Sequence, residues 1–376
     1  MRIVYVCNEY PPAGNAAGIG IFVQTMARAM ATRGHDVTVV GVGTQDHDVC
    51  TSGVRVVTLG ASSVRGLRFV HRRWRLYRWL SRASAGGRID IVEVPDFEGM
   101  LPFSIRALPV VVRLHLTSTV LTPVIPAPPT VFGRWAERRT LAQHTHWIAT
   151  SRFVLSETQR VFGLCPRESA VIDNPATIED STPSAAPLLP TWFVLFAGTV
   201  TVRKGLVDLA RAARLFLARH EDLHLVLAGR IMEPDLVGRI QDIVGAALAP
   251  RVHFLGKLSH SATLSCMRKA RALLLLSTIE GSALVVLEAM SCGAVVVCSR
   301  RGPGPEILED GVSGLLVDST DPDDVSAKVS SLLTDSDLAE RLAERARRTA
   351  SERFSIDRCA SATEAFYMRR LKPQIP

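Results

Sequence analysis

Ala272-Leu273-Leu274-Leu275-Leu276-Ser277-Thr278-Ile279-Glu280-Gly281-Ser282-Ala283-Leu284-Val285-Val286-Leu287-Glu288-Ala289-Met290-Ser291-Cys292-Gly293-Ala294-Val295-Val296-Val297-Cys298 reads as a strand, a turn, a helix and a second strand. The apolar runs Ala272–Leu276 and Ala294–Cys298 have the length and composition of buried strands. Gly281 and Ser282 make the turn, and the pattern is helical from Ala283 onward. The same unit recurs on both sides. Before it lie strands at Trp192–Ala197, Leu223–Ala228 and Val252–Leu255, with a helix at Leu206–Arg219. Earlier still come strands at Ile3–Cys7, Val37–Val42, Asp90–Val94, Val110–Leu114 and Trp147–Thr150, with helices at Gly20–Arg33 and Phe132–Gln143. This alternation predicts α/β architecture, with parallel sheets covered by helices on both faces.

Pro175, Pro183, Pro187 and Pro190 interrupt the rhythm among Ser, Thr and Ala, as a linker would. The expected organisation is a Rossmann-like domain at 1–178, a linker at 179–191 and a second Rossmann-like domain at 192–354. Residues 355–376 are expected to form a C-terminal helix crossing back to the first domain. Two doubly wound domains facing each other leave a central cleft, and ligands of such sheets bind beyond the carboxyl ends of the strands.

Composition narrows the function. No apolar run reaches the roughly 18 residues of a membrane-spanning helix, and the chain enters its first strand without a basic-then-apolar signal segment. A cytoplasmic protein is expected, with the inner face of the cell membrane as a peripheral location. The seven cysteines are scattered without a Cys-x-x-Cys pair, which supports neither a disulfide framework nor a zinc site. The net charge of +8 fits an acidic partner. Eight arginines and no acid lie between Arg65 and Arg88, with Phe69, Trp74, Tyr77 and Trp79 among them. Leu67, Val70, Trp74 and Tyr77 recur at helical spacing. A solvated helix face and a basic helix resting on an anionic membrane both fit that pattern. Nothing resembles a groove-reading motif, so nucleic acid ranks last as a partner.

Three loops after strands carry the chemistry. Asn8–Gly20 is rich in Gly and Pro and opens into a helix, where backbone N–H groups favour phosphate. Gly18-x-Gly20 lacks the third glycine of a dinucleotide fingerprint, since Val23 stands there, and the ribose-binding acid is also missing. This argues against a nicotinamide-dependent oxidoreductase. Arg203-Lys204-Gly205 sets two cations just past a strand, as a diphosphate needs. Glu280 and Glu288 flank a helix start, where carboxylates accept sugar hydroxyls and the helix N-terminus holds phosphate. A capped helix with one buried, partnered Glu explains the same spacing equally well. His115 at the end of Val110–Leu114, and Asp96 and Glu98 after Asp90–Val94, read first as a structural hydrogen-bonder and turn residues.

Glu280 and Glu288, with Glu288-Ala289-Met290-Ser291-Cys292-Gly293, closely resemble the glutamate-x7-glutamate signature of retaining family 4 glycosyltransferases. Arg33-Gly34-His35-Asp36-Val37, Asp173-Asn174-Pro175, Arg203-Lys204-Gly205, Asp310–Val317 and Glu352-Arg353-Phe354-Ser355 resemble further family segments, in the family order and along nearly the whole chain. The resemblance implies the GT-B fold, a nucleotide-sugar donor (a UDP-sugar by family frequency) and retaining hexosyl transfer without a required metal or cofactor. The acceptor implied is a saccharide, lipid-linked or small-molecule one. It places Glu280 on the donor sugar, Glu288 on the ribose, and the backbone of Ser282, Ala283, Leu284 and Val285 on sugar and phosphates. Arg203 and Lys204 would neutralise the leaving diphosphate, and Gly18 and Gly20 would close over it from the other domain. Arg230 and Leu258 become candidates for the base, and His115 for a catalytic contact, with Asp96 and Glu98 at the acceptor. Thr199 stands where the family often has Arg, and Ser282-Ala283 where it has Phe-Gly, which alters the wall near the donor sugar. An epimerase or hydrolase on the same scaffold, with water replacing the acceptor, is the alternative.

Overall fold

The computed structural model describes residues 1–10, 18–61, 68–125, 127–176, 188–281 and 283–371. The chain divides into two compact units, Met1–Pro175 with Ile356–Pro376, and Ala176–Ser355. Most of the linker expected at 179–191 lies outside the described residues.

The first unit contains β1 (Arg2–Val6), α1 (Gly18–Thr32), β2 (Asp36–Gly43), β3 (His47–Thr51), β4 (Val54–Gly60), α2 (Arg68–Ala85), β5 (Ile91–Pro95), β6 (Val110–Leu114), α3 (Val131–Gln143), β7 (His146–Ala149), α4 (Arg152–Phe162) and β8 (Glu168–Val171). Its sheet runs β3-β4-β2-β1-β5-β6-β7-β8, parallel throughout except for β3 against β4. The inner strands β5, β6 and β7 are buried on both faces and are mostly apolar, interrupted only by Glu93, Arg113 and His146. The hairpin strand β3 was not foreseen, because all five of its residues are exposed and it carries no apolar signal.

The last helix, Ile356–Leu371, belongs to this unit and packs Cys359, Ala360, Phe366 and Tyr367 into the core around Phe22 and Met26. Its inner face also meets a buried ion pair. Arg113 of β6 contacts Glu93 of β5 at 3.0 Å, and the Tyr367 hydroxyl donates to Glu93 at 2.6 Å. At the surface, Glu364 takes Arg33 at 2.9 Å and His35 at 3.0 Å, so the turn after α1 is tied to the same helix.

The second unit contains β9 (Phe193–Ala197), α5 (Leu206–Arg219), β10 (His224–Ala228), α6 (Asp235–Val244), β11 (Val252–Gly256), α7 (His260–Lys269), β12 (Leu273–Leu275), α8 (Leu284–Cys292), β13 (Val296–Ser299), α9 (Gly304–Ile307), β14 (Leu315–Val317), α10 (Pro322–Thr334) and α11 (Ser336–Arg353). Its sheet is parallel in the order β11-β10-β9-β12-β13-β14. The chain builds outward from β9 in one direction and then returns to β12 to build in the other. This makes the carboxyl ends of β9 and β12 a topological switch point. Both units are thus the doubly wound Rossmann-like domains that the alternation of strands and helices implied.

Candidate active site

In the second unit the loops leaving β9 and β12 are brought together by one glycine. Val202–Lys204 forms a short 3₁₀ turn after β9, and Gly205 closes it at φ +73°. A Cβ on Gly205 would lie 2.0 Å from the Leu276 carbonyl oxygen, so only glycine allows the basic turn to press against the end of β12. The Thr278 N–H then donates to the Arg203 carbonyl at 3.2 Å.

This packing sets Lys204 Nζ 2.5 Å from Glu280 Oε1. Arg203 Nη1 donates to the Ile279 carbonyl at 3.1 Å and stands 3.6 Å from the same carboxylate oxygen. Burial opposes ionisation of Glu280, but Lys204 and Arg203 outweigh it and hold the carboxyl below its ordinary range. Glu280 is therefore an ionised acceptor at neutral pH, set against two cations.

Beyond Glu280, α8 starts without a side-chain cap among the described residues. Ala283 occupies the N-cap and no acid lies in the first turn. The Val286 N–H turns back to the Ala283 carbonyl at 2.7 Å, which leaves the N–H groups of Leu284 and Val285 for an acceptor, as at anion-binding helix starts. Leu284 and Val285 are half-buried there, and Ser282 lies outside the described residues. Glu288 is buried farther along α8 and meets His260 Nε2 at 3.0 Å. The two glutamates of the spacing thus have different partners, one the basic turn and the other α7. His260 escaped the sequence reading, because its pairing spans 28 residues and leaves no local mark. Arg230, exposed, and Leu258, half-buried against the core, lie in the loops after β10 and β11.

In the first unit, residues 11–17 of the glycine loop lie outside the described residues, and α1 starts at Gly18. A Cβ on Gly20 would meet the Glu9 carbonyl oxygen at 2.2 Å, so this glycine admits a close backbone approach. His115 follows β6, half-buried, with its ring edge-on to Phe22 at 5.0 Å. Burial, then the Arg113 charge, push its imidazole down to about 3, so the ring is neutral at neutral pH.

The His115 turn is held by two buried carboxyl groups. Asp96 Oδ1 accepts the His115 N–H at 2.9 Å. Glu137 of α3 accepts the N–H groups of Ser118 at 2.9 Å and Thr119 at 3.0 Å. Between them Leu116 takes φ +79°, a costly angle for leucine that persists where surrounding bonds over-determine it. Asp96 is fully buried, and its carboxyl group orders the backbone of this turn. Burial pushes its carboxyl up to about 8, against the pull of the His115 N–H. Glu98 stays exposed at φ 61°, with its carbonyl taken by the buried Arg73 guanidinium. Glu137 was not foreseen, since nothing local distinguishes a buried glutamate inside a helix.

The arginine-rich helix α2 buries one stripe and exposes another. Its buried stripe is Arg73, Leu76, Leu80 and Ala83. Val70 and Trp74, chosen by spacing, are 52% and 45% exposed and lie outside that stripe. Arg73 is packed over the Phe69 ring at 3.2 Å, and Arg75 pairs with Asp46 at 2.7 Å, so the run is not uniformly free charge. No helix among the described residues is long and apolar enough to cross a membrane.

Residues 16–180 match the family described as Glycosyltransferase Family 4, and residues 181–349 match Glycosyl transferases group 1. The chain is 27% identical to a glycogen synthase of Mycobacterium tuberculosis, covering 100% of this chain and 98% of that protein. It is 26% identical to a phosphatidyl-myo-inositol mannosyltransferase of Mycolicibacterium smegmatis, covering 90% and 86%. Among solved structures, sucrose-phosphate synthase of Thermosynechococcus elongatus superposes with a TM-score of 0.80 at 19% identity, covering 98% of each chain. Anabaena HepE, solved with UDP and glucose, superposes with a TM-score of 0.73 at 18% identity, covering 98% of this chain and 100% of that one. The chain belongs to the family 4 glycosyltransferases and has the GT-B fold.

Proposed function

We propose that this glycosyltransferase moves a hexosyl group from a nucleotide-sugar, with UDP as the nucleotide, to a saccharide, lipid-linked or small-molecule acceptor with retention of anomeric configuration. One observation carries the reading: Lys204 and Arg203 converge on ionised Glu280 at the β9/β12 switch point, beside the uncapped start of α8. The two cations exceed the one carboxylate, leaving net positive charge for a diphosphate. Glu280 offers acceptor oxygens to sugar hydroxyls, and Glu288 does the same for a ribose. The UDP and glucose bound to HepE support this nucleotide.

In this mechanism the C1–O bond to the phosphate breaks, and its electron pair stays on the phosphate oxygen. Arg203 and Lys204 stabilise that charge as it grows. The acceptor oxygen bonds C1 on the same face, and its proton passes to the departing phosphate oxygen. Neutral His115 acts as a hydrogen-bonding group on sugar or acceptor, with Glu98 an exposed acceptor contact. An acceptor at the inner membrane face is supported by exposed Val70 and Trp74 on α2 and by Phe132 and Trp135, stacked at 5.1 Å on α3.

The test is a screen with UDP-, GDP- and ADP-sugars, with and without saccharide acceptors, followed by NMR of the anomeric proton. The expected result is acceptor-dependent product from a UDP-sugar with the donor's configuration. Free sugar formed regardless of acceptor would instead support the hydrolase alternative, and an inverted product would overturn retention.

A further inference from the structure

At the amino-terminal ends of β6 and β7, opposite the end that carries His115, the first unit holds a cavity of about 450 Å³. Distant parts of the chain line it. The loop before β6 supplies Ser104, Ile105 and Ala107 to Pro109, the start of β6 and the α3–β7 turn adjoin it, and Arg167 and Arg370 lie in the same wall. Ile105 and Leu108 give it an apolar wall. Among the described residues its lining contains two guanidinium groups and neither Asp nor Glu.

Two polar nitrogens in this wall are unspent. The Nε2 of His146, a residue only 5% exposed, and the Nε of Arg370 are buried without a hydrogen-bond partner among the described residues. Buried polar atoms are normally satisfied, so an unmet pair beside a cavity asks for a ligand. The neighbouring His144 does not supply it, because its Nε2 is engaged with the Leu101 carbonyl at 3.1 Å. Ala107, also in the lining, takes φ +59°, a strained angle of the kind that gathers at binding sites.

We infer that this cavity binds a small phosphate monoester, apart from the nucleotide-sugar site of the second unit. The Arg370 fork and the His146 imidazole, beside the positive charge of Arg167, match a dianion bearing three oxygens better than a carboxylate with two. The volume lies in the ordinary range for small-molecule pockets and leaves room for a sugar-sized body. Burial, then the charges of Arg370 and Arg167, hold the His146 imidazole below its ordinary value, with Glu168 pulling the other way. Glu168 is itself engaged with Arg369 at 3.2 Å. A bound dianion therefore raises the His146 pKa.

The experiment uses the full chain and three probes: inorganic phosphate, glucose 6-phosphate, and dihexanoyl phosphatidic acid kept monomeric, each against chloride at equal ionic strength. Melting temperature is recorded for wild type, Arg370→Gln and Lys204→Ala, and the His146 ring is titrated by NMR in wild type. The expected result is a rise in Tm that Lys204→Ala retains and Arg370→Gln loses, with the His146 inflection moving to higher pH. A stronger response to the sugar phosphate or to the lipid identifies the source of the monoester. The inference is overturned if Arg370→Gln responds like wild type, if Lys204→Ala alone abolishes the response, or if no probe moves His146. The His146 titration needs no variant, so a misfolded Arg370→Gln leaves the test intact.

Discussion

Gly205→Ala is the substitution whose effect the geometry defines most closely. Gly205 sits at φ +73°, and the added Cβ would meet the Leu276 carbonyl oxygen at 2.0 Å. The left-handed angle alone costs a non-glycine residue about 1–2 kcal/mol. Relieving a backbone overlap of this size adds about 1–3 kcal/mol, the usual range for overpacking. The sum is about 2–5 kcal/mol, and a unit of this size loses about 2–4 °C of Tm per kcal/mol. Gly311 supplies the control, since it has the same φ of +73° with nothing within 4 Å of an added Cβ. Gly311→Ala should therefore show the backbone cost alone. The basic turn is what moves in Gly205→Ala, and a shift near 1 Å in positioning groups costs about 10²-fold in rate. Calorimetric melting and steady-state turnover on both variants separate the two effects. If Gly205→Ala melts no lower than Gly311→Ala and turns over like wild type, the turn is not held as described.

Other consequences concern the first unit. Glu93→Ala leaves Arg113 buried without its 3.0 Å partner and should cost about 3–5 kcal/mol, read by urea denaturation. Asp96 is raised from 3.8 to about 8, so the folded chain keeps a proton that the unfolded chain releases across that window. Wild-type stability from this group falls as pH rises through the window. Asn does not titrate, so urea melts should show Asp96→Asn gaining on wild type up to about pH 8 and levelling above it. His115 is lowered from 6.5 to about 3, so its NMR ring shift should stay constant from pH 8 to pH 5, while its contribution to stability declines below its unfolded value.

The features legible in sequence are those written in local pattern. Buried strands such as Phe193–Ala197 announce themselves as unbroken apolar runs, and the basic turn and the Glu280–Glu288 spacing stand out at strand ends. The β3 strand does not, because His47–Thr51 faces solvent throughout. Spacing alone does not name the buried stripe of α2, which includes an arginine, while Val70 and Trp74 lie exposed on another face. Partnerships are the hardest to read. Glu280 meets Lys204 across 76 residues, and Glu93 meets Tyr367 across 274. Asp96 and Glu137 act on backbone groups whose position only the folded turn defines. Whether a carboxylate binds substrate or holds a loop is decided by burial, which one residue's identity does not state.

The central claim is that the Arg203–Lys204–Glu280 cluster receives the donor diphosphate, and Lys204→Ala tests it most directly. Turnover of the best nucleotide-sugar should fall by about 10²–10³-fold, as for loss of one charge-stabilising donor, while circular dichroism shows a folded protein. A folded Lys204→Ala enzyme with wild-type turnover would contradict the account.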